Sequence, residues 1–108
     1  MISLSKEEAK EIFKLPLQER QKYILTARVD LEKNLLIFGR GNGAIGSIDL
    51  GFFTPSGTET PDFDHLEIID HGQTIKFGNY EAATDSILEE VERVYSNPPR
   101  KDTNLLAK

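Results

Sequence analysis

Three glycines form the most prominent candidate for chemistry in this sequence. Gly41, Gly43 and Gly46 have the spacing G-x-G-x-x-G of a dinucleotide-binding loop. Such a loop leaves a strand and enters a helix, whose N-terminal N–H groups and dipole hold a pyrophosphate. A strand is predicted at residues 35–38, but residues 47–53 combine β-branched and aromatic residues at a period near two. Because this pattern predicts a second strand and no helix, we interpret the glycines as a β-hairpin turn.

A second candidate is a group of acidic and histidine residues between positions 62 and 71. Histidines and carboxylates are metal ligands and general acid–base groups, and the group contains Asp62, Asp64, His65, Asp70 and His71. If residues 65–70 form a strand, the two histidines lie roughly 20 Å apart at about 3.3 Å per residue, too far for one site. Asp62, Asp64 and His65 remain as candidate ligands of a divalent ion. Otherwise His71 is a turn residue and His65 is a half-exposed strand end.

Other catalytic patterns are missing from the sequence. It contains no cysteine and no G-x-S-x-G elbow, and neither Ser47 nor Ser56 has a histidine placed for an identifiable triad. Three glutamates near the C-terminus are most simply the solvated face of a helix: Glu89, Glu90 and Glu92. The sequence therefore predicts no catalytic residue and no cofactor, and it does not favour an enzyme.

The register of the glycine hairpin follows from its turn. Asn42-Gly43 is typical of a two-residue type I′ loop, which requires positive φ at both central positions. This loop pairs residue 39 with 46, 37 with 48 and 35 with 50. The core face would then hold Leu35, Ile37, Ile48 and Leu50. Gly39 would face Gly46, and the two would leave a side-chain-free dent that a ligand could approach.

A second hairpin is predicted over residues 65–77, with His71-Gly72 in its loop. Ile68 then faces Ile75 and Leu66 faces Phe77, while Glu67 pairs with Lys76 on the opposite face. Segment 23–31 alternates as a strand, although a helix would gather Leu17, Ile24, Ala27 and Leu31 on one side. With a turn at 32–34, the strand extends the glycine hairpin to a three-stranded meander over about 23–50. The loop 54–64 follows, and Phe63 is predicted to anchor it to the core.

Helices are predicted at both ends of the chain. Ser5 and Glu8 form a capping box, and Pro16 ends this helix and begins a short second one at residues 17–22. A C-terminal helix at about 84–96 begins at Thr84 or Asp85. Its apolar stripe holds Ile87, Leu88, Val91, Val94 and Tyr95. The prediction is an α+β fold with one domain over residues 1–96 and a flexible tail over 97–108, in which Leu105-Leu106 is alternatively a docking peptide.

Composition limits the class of protein. A chain of 108 residues with 38% hydrophobic and 29% charged residues is typical of one globular domain. The start of the chain lacks a secretory signal and no apolar run is long enough to span a membrane, which together with the missing cysteines favours a cytoplasmic location. The formal net charge of −5 repels phosphate backbones, so direct nucleic-acid binding is not expected.

Several segments resemble the bacterial domain of unknown function 2442 family over residues 23–92. The similar features are Phe38 before the glycine turn, Asp49-Leu50 at the end of the next strand, Phe63 before a hairpin, and the helix start at residues 84–88. Where the family tends to have Trp-Pro-Asn-Gly, this chain has Phe77-Gly78-Asn79-Tyr80. The resemblance implies an α+β fold of meander, hairpin and packed helix, an antitoxin role in some members, and no catalytic residues.

Two functional hypotheses follow. The first is a small acidic protein-binding module without catalytic activity, such as an antitoxin, immunity protein or inhibitor, that binds a basic partner or a second copy. In this hypothesis four apolar residues of the leading segment pack on the sheet or contact a partner: Ile12, Phe13, Leu15 and Leu17. The alternative is a domain that binds a small ligand or a divalent metal, or a degenerate enzyme, through the Gly39/Gly46 dent or the loop 62–71.

Overall fold

The chain forms an α+β fold, which confirms the predicted class. A computed structural model describes residues 1–55 and 59–96 of the protein. Its elements in chain order are β1 Ile2–Ser3, α1 Lys6–Phe13, α2 Leu17–Arg20, β2 Ile24–Asp30, β3 Leu35–Arg40, β4 Ile45–Asp49, β5 Leu66–Ile69, β6 Thr74–Phe77, β7 Tyr80–Ala83 and α3 Thr84–Ser96. The predictions for the tail 97–108 and for Ser56 lie outside the described residues.

The strands form two antiparallel sheets. The first has the order β1-β2-β3-β4 and contains the predicted meander, and the second has the order β5-β6-β7. The strand interpretation of residues 23–31 is confirmed by β2. The sequence analysis did not predict β1 or β7. Strand β1 has only two residues, and β7 is defined by its pairing with β6, which its composition does not reveal.

The predicted register of the glycine hairpin is wrong by one residue. Phe38 pairs with Gly46 and Gly39 pairs with Ile45. The Arg40 N–H donates to the Ala44 carbonyl at 2.8 Å, and the Gly43 N–H donates to the Arg40 carbonyl at 2.9 Å. The loop therefore has three residues, and only its last, Gly43 with φ 91°, takes a positive φ. This is the three-residue hairpin loop with a left-handed glycine, and it shifts the pairing by one position relative to a type I′ turn.

The shift exchanges the two faces of β3, as a one-residue slip must. Leu36 and Phe38 lie in the core with 0% and 1% exposure, whereas Leu35 and Ile37 are half-buried on the opposite face. The core prediction is therefore wrong for Leu35 and Ile37. It is confirmed for Ile48 and Leu50, which are buried.

The predicted dent between Gly39 and Gly46 is absent. Because the two glycines do not pair, their missing Cβ atoms point to opposite faces of the sheet. Each position is occupied by a neighbour: the Thr26 hydroxyl lies 2.7 Å from the Cβ position of Gly39, and the Phe38 ring lies 2.9 Å from that of Gly46. A ligand site at this pair of glycines has no basis in the structure.

The second hairpin has the predicted register. Leu66 pairs with Phe77, Glu67 with Lys76, Ile68 with Ile75 and Ile69 with Thr74. The additional strand β7 extends the charged row and the neighbouring apolar row of side chains, because Lys76 also pairs with Glu81 and Ile75 with Ala82. The charged row Glu67-Lys76-Glu81 and the apolar row beside it therefore each cross three strands instead of two.

One apolar core takes side chains from both sheets and from α3. Ile24, Phe38, Ile75, Phe77 and Ile87 are each no more than 1% exposed. Phe63 packs edge-to-face on Phe77 with ring centroids 5.0 Å apart, which confirms the predicted anchor of the preceding loop. The predicted stripe of α3 is confirmed for Ile87, Leu88 and Val91, but Val94 is 42% exposed and the side chain of Tyr95 is outside the described part of the chain.

Within residues 1–55 and 59–96, no helix combines the length and the apolar character needed to cross a membrane.

Candidate functional site

The glycine loop serves chain reversal and packing. Strand β4 follows it, so the helix N-terminus that a phosphate site requires is missing at this point, and the hairpin interpretation is confirmed. Gly41 allows α2 to approach, because a Cβ at Gly41 would lie 2.5 Å from the Arg20 carbonyl oxygen and 3.1 Å from a methyl group of Ile12. The loop thus holds the leading helices against the first sheet.

The side chains of the candidate metal ligands Asp62 and His65 form a hydrogen bond with each other. The His65 Nδ1 lies 2.7 Å from Asp62 Oδ2, and the Asp64 N–H donates to Asp62 Oδ1 at 3.1 Å. The hydrogen bond from His65, followed by that from the Asp64 backbone, lowers the pKa of Asp62 below its usual value. Both carboxylate oxygens of Asp62 already accept hydrogen bonds within the loop, so a metal ion would have to compete with these hydrogen bonds.

No group of three metal-ligating side chains occurs in the parts of the chain that the structure describes. The Asp64 carboxylate does not share the hydrogen bonds of Asp62, since Asp64 contributes only its backbone N–H. The structure therefore brings Asp62 and His65 together but does not assemble the three candidates into a coordination site.

His71 is a turn residue, in a turn with unusual backbone geometry. Asp70 and His71 each have φ 54°, and Gly72 has φ 88°. The turn is fixed from two sides: a Cβ at Gly72 would lie 2.7 Å from the Ile24 carbonyl oxygen of β2, and the buried Thr84 hydroxyl donates to the Gly72 carbonyl at 2.9 Å. Left-handed conformations at non-glycine residues persist only where surrounding contacts hold them. The position of the Asp70 carboxylate is consequently well defined by the fold.

Asp70 and Asp85 line the same polar concavity at the end of the second sheet. Its volume is about 490 Å³, and its other lining residues are His71, Gln73, Thr74 and Ala83. The Thr74 hydroxyl donates to Asp70 at 2.8 Å. Asp85 also lies in the first turn of α3, where the helix dipole favours a negative charge.

The excess of negative charge is concentrated in residues 59–92. Residues 1–55 contain seven acidic and eight basic side chains, whereas residues 59–92 contain ten acidic side chains and one lysine. The formal charge is therefore +1 for the first segment and −9 for the second. The net charge of −5 for the whole chain conceals this separation.

Five exposed carboxylates of residues 59–92 lie along a continuous surface, which we call the acidic face: Glu67, Asp70, Glu81, Asp85 and Glu89. Glu67 and Glu81 flank the half-buried Lys76 in one cross-strand row of the second sheet. Thr74 and Ala83, in the next row on the same face, line the concavity with Asp70 and Asp85. Asp85 and Glu89 in turn share a neighbouring concavity, into which Lys22 and Arg40 also project.

The carboxylates of the acidic face lack close basic partners. Across residues 1–55 and 59–96, no lysine, arginine or histidine nitrogen lies within 4.0 Å of any of the five. Adjacent glutamates of α3 differ: Glu90 is 2.7 Å from Arg93, whose hydrogen bond lowers the pKa of Glu90, and Glu92 is 3.8 Å from Arg40. The acidic face therefore has an excess of negative charge, with Lys76 between Glu67 and Glu81 and with Lys22 and Arg40 near Asp85 and Glu89, but without an ion pair in the described residues.

The four apolar residues predicted to pack or to bind a partner have different environments. Ile12 is 3% exposed and packs beside Gly41, so it has no surface left for a partner. Leu15 is half-buried. Phe13 and Leu17 are 51% and 60% exposed, and the Arg20 guanidinium lies 5.8 Å from the centre of the Phe13 ring. Partner contact through Phe13 and Leu17 stays a prediction.

Comparison of the chain with protein-family models, curated proteins and solved structures found no match. The resemblance to the domain of unknown function 2442 family therefore stays a prediction.

Proposed function

We propose that this protein is a non-catalytic, acidic protein-binding module whose acidic face docks a basic partner protein. The observation that carries the proposal is the set of five exposed carboxylates without a basic group within 4.0 Å in the described residues. An antitoxin, immunity or inhibitor role would each be a form of this function, and the family resemblance suggests the antitoxin role.

Concentrated like charge has two physical consequences. It destabilises the folded chain through self-repulsion, and it attracts an oppositely charged partner over about one Debye length, roughly 8 Å at physiological salt. A basic partner would relieve the repulsion and associate faster than a neutral one. The sheet and the turn at Asp70 fix the backbone from which these side chains extend, so the backbone needs little ordering on binding.

Binding is favoured over catalysis by the exposure of these carboxylates. A general acid or base works best where burial and neighbouring groups tune its pKa. The acidic face lies on the outside of the second sheet and along α3, in contact with solvent. Its geometry suits a docking surface for a protein.

Phe13 and Leu17 offer an apolar contact in addition to the charges. Phe13 lies on α1 and Leu17 at the start of α2; both are exposed, and the Arg20 guanidinium lies over the Phe13 ring. Exposed apolar groups of this size are common at interfaces. We propose that they contribute to partner binding or to a homodimer.

The test uses two variants with the same net charge. One neutralises four residues of the acidic face, Glu67→Gln, Asp70→Asn, Glu81→Gln and Glu89→Gln, and is called the face variant. The control neutralises four acidic residues of the first segment, Glu7→Gln, Glu11→Gln, Glu19→Gln and Glu32→Gln, and is called the control variant. Both change the formal charge by four, and Asp85 is kept because it supports the start of α3.

Each variant and the wild-type protein are used as bait for proteins of the native host at moderate salt, and the captured protein is purified for measurement of its Kd. The wild-type protein and the control variant are expected to capture the same basic protein, and the face variant is expected to lose it. Capture that is equal for the two variants, or a captured partner that is acidic, would contradict the proposal.

A further inference from the structure

Among the residues that the structure describes, strand β4 is the last strand of its sheet and has only β3 beside it, so its other edge is free of these residues. Arg40 and Ala44 form a hydrogen-bonded pair, so pairs alternate from there: residues 46 and 48 bond to β3, and residues 45, 47 and 49 point their N–H and C=O groups outward. Three residues of β4 thus offer backbone donors and acceptors to another strand.

Within residues 1–55 and 59–96, this edge has little of the usual protection against pairing. Edge strands are commonly protected by short length, by lysine or proline, by bulges, or by cover from another element. Here β1 has two residues, while the outer strands of the second sheet carry Glu67 and Glu81. Strand β4 has five residues without lysine, proline or a shift in register. Its one charged residue is Asp49 at the last position, and its Ile45 is 74% exposed.

An apolar groove runs along β4 on the side of α3. It consists of two concavities of about 340 Å³ each, which share Val91. Phe38, Ile45 and Gly46 line one end, and Ile48, Phe52 and Val94 line the other. Because Gly46 has no side chain, the Phe38 ring forms part of the floor. A strand placed beside β4 would extend alternate side chains into this groove.

The charges around the groove favour a basic occupant. Among the described residues, Asp49, Glu90 and Glu92 line it, with Arg40 as the one basic lining residue. Glu90 pairs with Arg93 and Glu92 with Arg40, so the lining keeps only a small excess of negative charge, at Asp49. Glu92 also borders the concavity that contains Asp85 and Glu89, so the groove is continuous with the acidic face. Lysine or arginine side chains on an added strand would lie near these carboxylates.

We propose that β4 accepts an extended segment of a basic partner protein as a fifth strand of the first sheet. The segment alternates β-branched or other apolar residues, which enter the groove, with lysine or arginine residues. This inference rests on the proposed function, since it names the mode by which the basic partner binds. Main-chain hydrogen bonds to residues 45, 47 and 49 supply affinity, and the groove supplies specificity.

The test begins with peptides selected from a phage-displayed library of random ten-residue sequences on the wild-type protein. Selected peptides are synthesised, and their Kd is measured by fluorescence anisotropy on three variants. Ser47→Pro removes an outward N–H at an edge position that tolerates proline, Ser47→Ala is its control, and Ile45→Lys adds a repelling charge at an exposed position. The same peptides with alternate backbone nitrogens methylated test strand pairing without altering the protein.

The selected peptides are expected to alternate apolar and basic residues. Ser47→Pro, Ile45→Lys and backbone methylation should each weaken binding by about tenfold or more, because each removes one or more intermolecular hydrogen bonds or adds repulsion, while Ser47→Ala leaves the Kd unchanged. If Ser47→Pro fails to fold, Ile45→Lys and the methylated peptides decide the result.

Selection of no peptide, or peptides that bind equally well after backbone methylation, would overturn strand addition. A dimer of the wild-type protein that Ile45→Lys dissociates would assign the edge to a second copy and would also overturn it. Peptides whose Kd is unchanged by every β4 substitution but weakened on the face variant would refute strand addition and leave the proposed function intact. Peptides that depend on β4 but bind the face variant unchanged would count against the acidic face instead.

Discussion

The packing of the Asp70 turn on the first sheet can be tested with two glycines of nearly equal φ. Gly72 and Gly43 have φ 88° and 91°. A Cβ at Gly72 would lie 2.7 Å from the Ile24 carbonyl oxygen, whereas a Cβ at Gly43 would find no atom within 4 Å. Gly43→Ala therefore measures the cost of the backbone conformation alone, and Gly72→Ala measures that cost together with the overlap.

The expected magnitudes differ clearly. Placing alanine in the left-handed region costs about 1 kcal/mol. Overpacking against a fixed backbone adds about 1–3 kcal/mol. Gly43→Ala should therefore lower the free energy of unfolding by about 1 kcal/mol, and Gly72→Ala by about 2–4 kcal/mol. In a domain of this size the larger change corresponds to a fall in Tm on the order of 10–25 °C.

Urea unfolding followed by circular dichroism gives both free energies, provided that the m-value is unchanged. Equal destabilisation by the two substitutions, within about 0.5 kcal/mol, would refute the close approach of the turn to β2. The two sheets would then not meet at Gly72, and the position of Asp70 on the acidic face would lose its structural basis.

Three further predictions concern the candidate residues outside the acidic face. The carboxyl pKa of Asp62, measured by NMR titration, should lie below 3.8 and rise when His65 is replaced by alanine. Because the folded pKa is lowered, the contribution of Asp62 to the free energy of unfolding is present above the unfolded pKa and is lost as the pH falls through the folded pKa. An unshifted pKa of Asp62 would contradict the His65 contact. Calcium or manganese ions should leave the Tm unchanged because both Asp62 oxygens accept hydrogen bonds, whereas a rise that Asp62→Asn abolishes would show a metal site. The double variant Phe13→Ser, Leu17→Ser should change the free energy of unfolding by no more than about 1 kcal/mol while weakening partner capture or self-association. Ile12→Ser, at a buried position, should lower the Tm markedly. Unaltered capture and unaltered solution mass in the double variant would exclude Phe13 and Leu17 from binding.

Sequence patterns predicted the elements of this fold better than their registers. The apolar alternation in residues 66–69 and 74–77 had only one consistent pairing, and it is the observed one. In the glycine hairpin, Asn42-Gly43 suited two loop lengths, and residues 35–38 are apolar on both faces, so alternation could not select the register. The bonds that decide it, between Arg40, Gly43 and Ala44, are between backbone atoms.

The candidate site was harder to predict because it depends on contacts between distant segments. The excess of carboxylates in residues 59–92 can be counted in the sequence, but their common surface requires β7, which places Glu81 beside Lys76 and leads into Asp85 of α3. The residue types pointed to Asp62 and His65 as candidate metal ligands, yet type and spacing could not show that their side chains form a hydrogen bond with each other. The free edge of β4 follows from strand order, which sequence patterning left open.

The most direct test of the acidic face is the association rate constant of the captured partner as a function of salt concentration, measured for the wild-type protein, the face variant and the control variant. Electrostatic steering predicts that kon falls steeply with salt for the wild-type protein and the control variant. The face variant should associate more slowly at low salt and show a much shallower salt dependence. Identical salt dependence in the face and control variants would show that net charge, and not the acidic face, governs binding, and would contradict the proposed function.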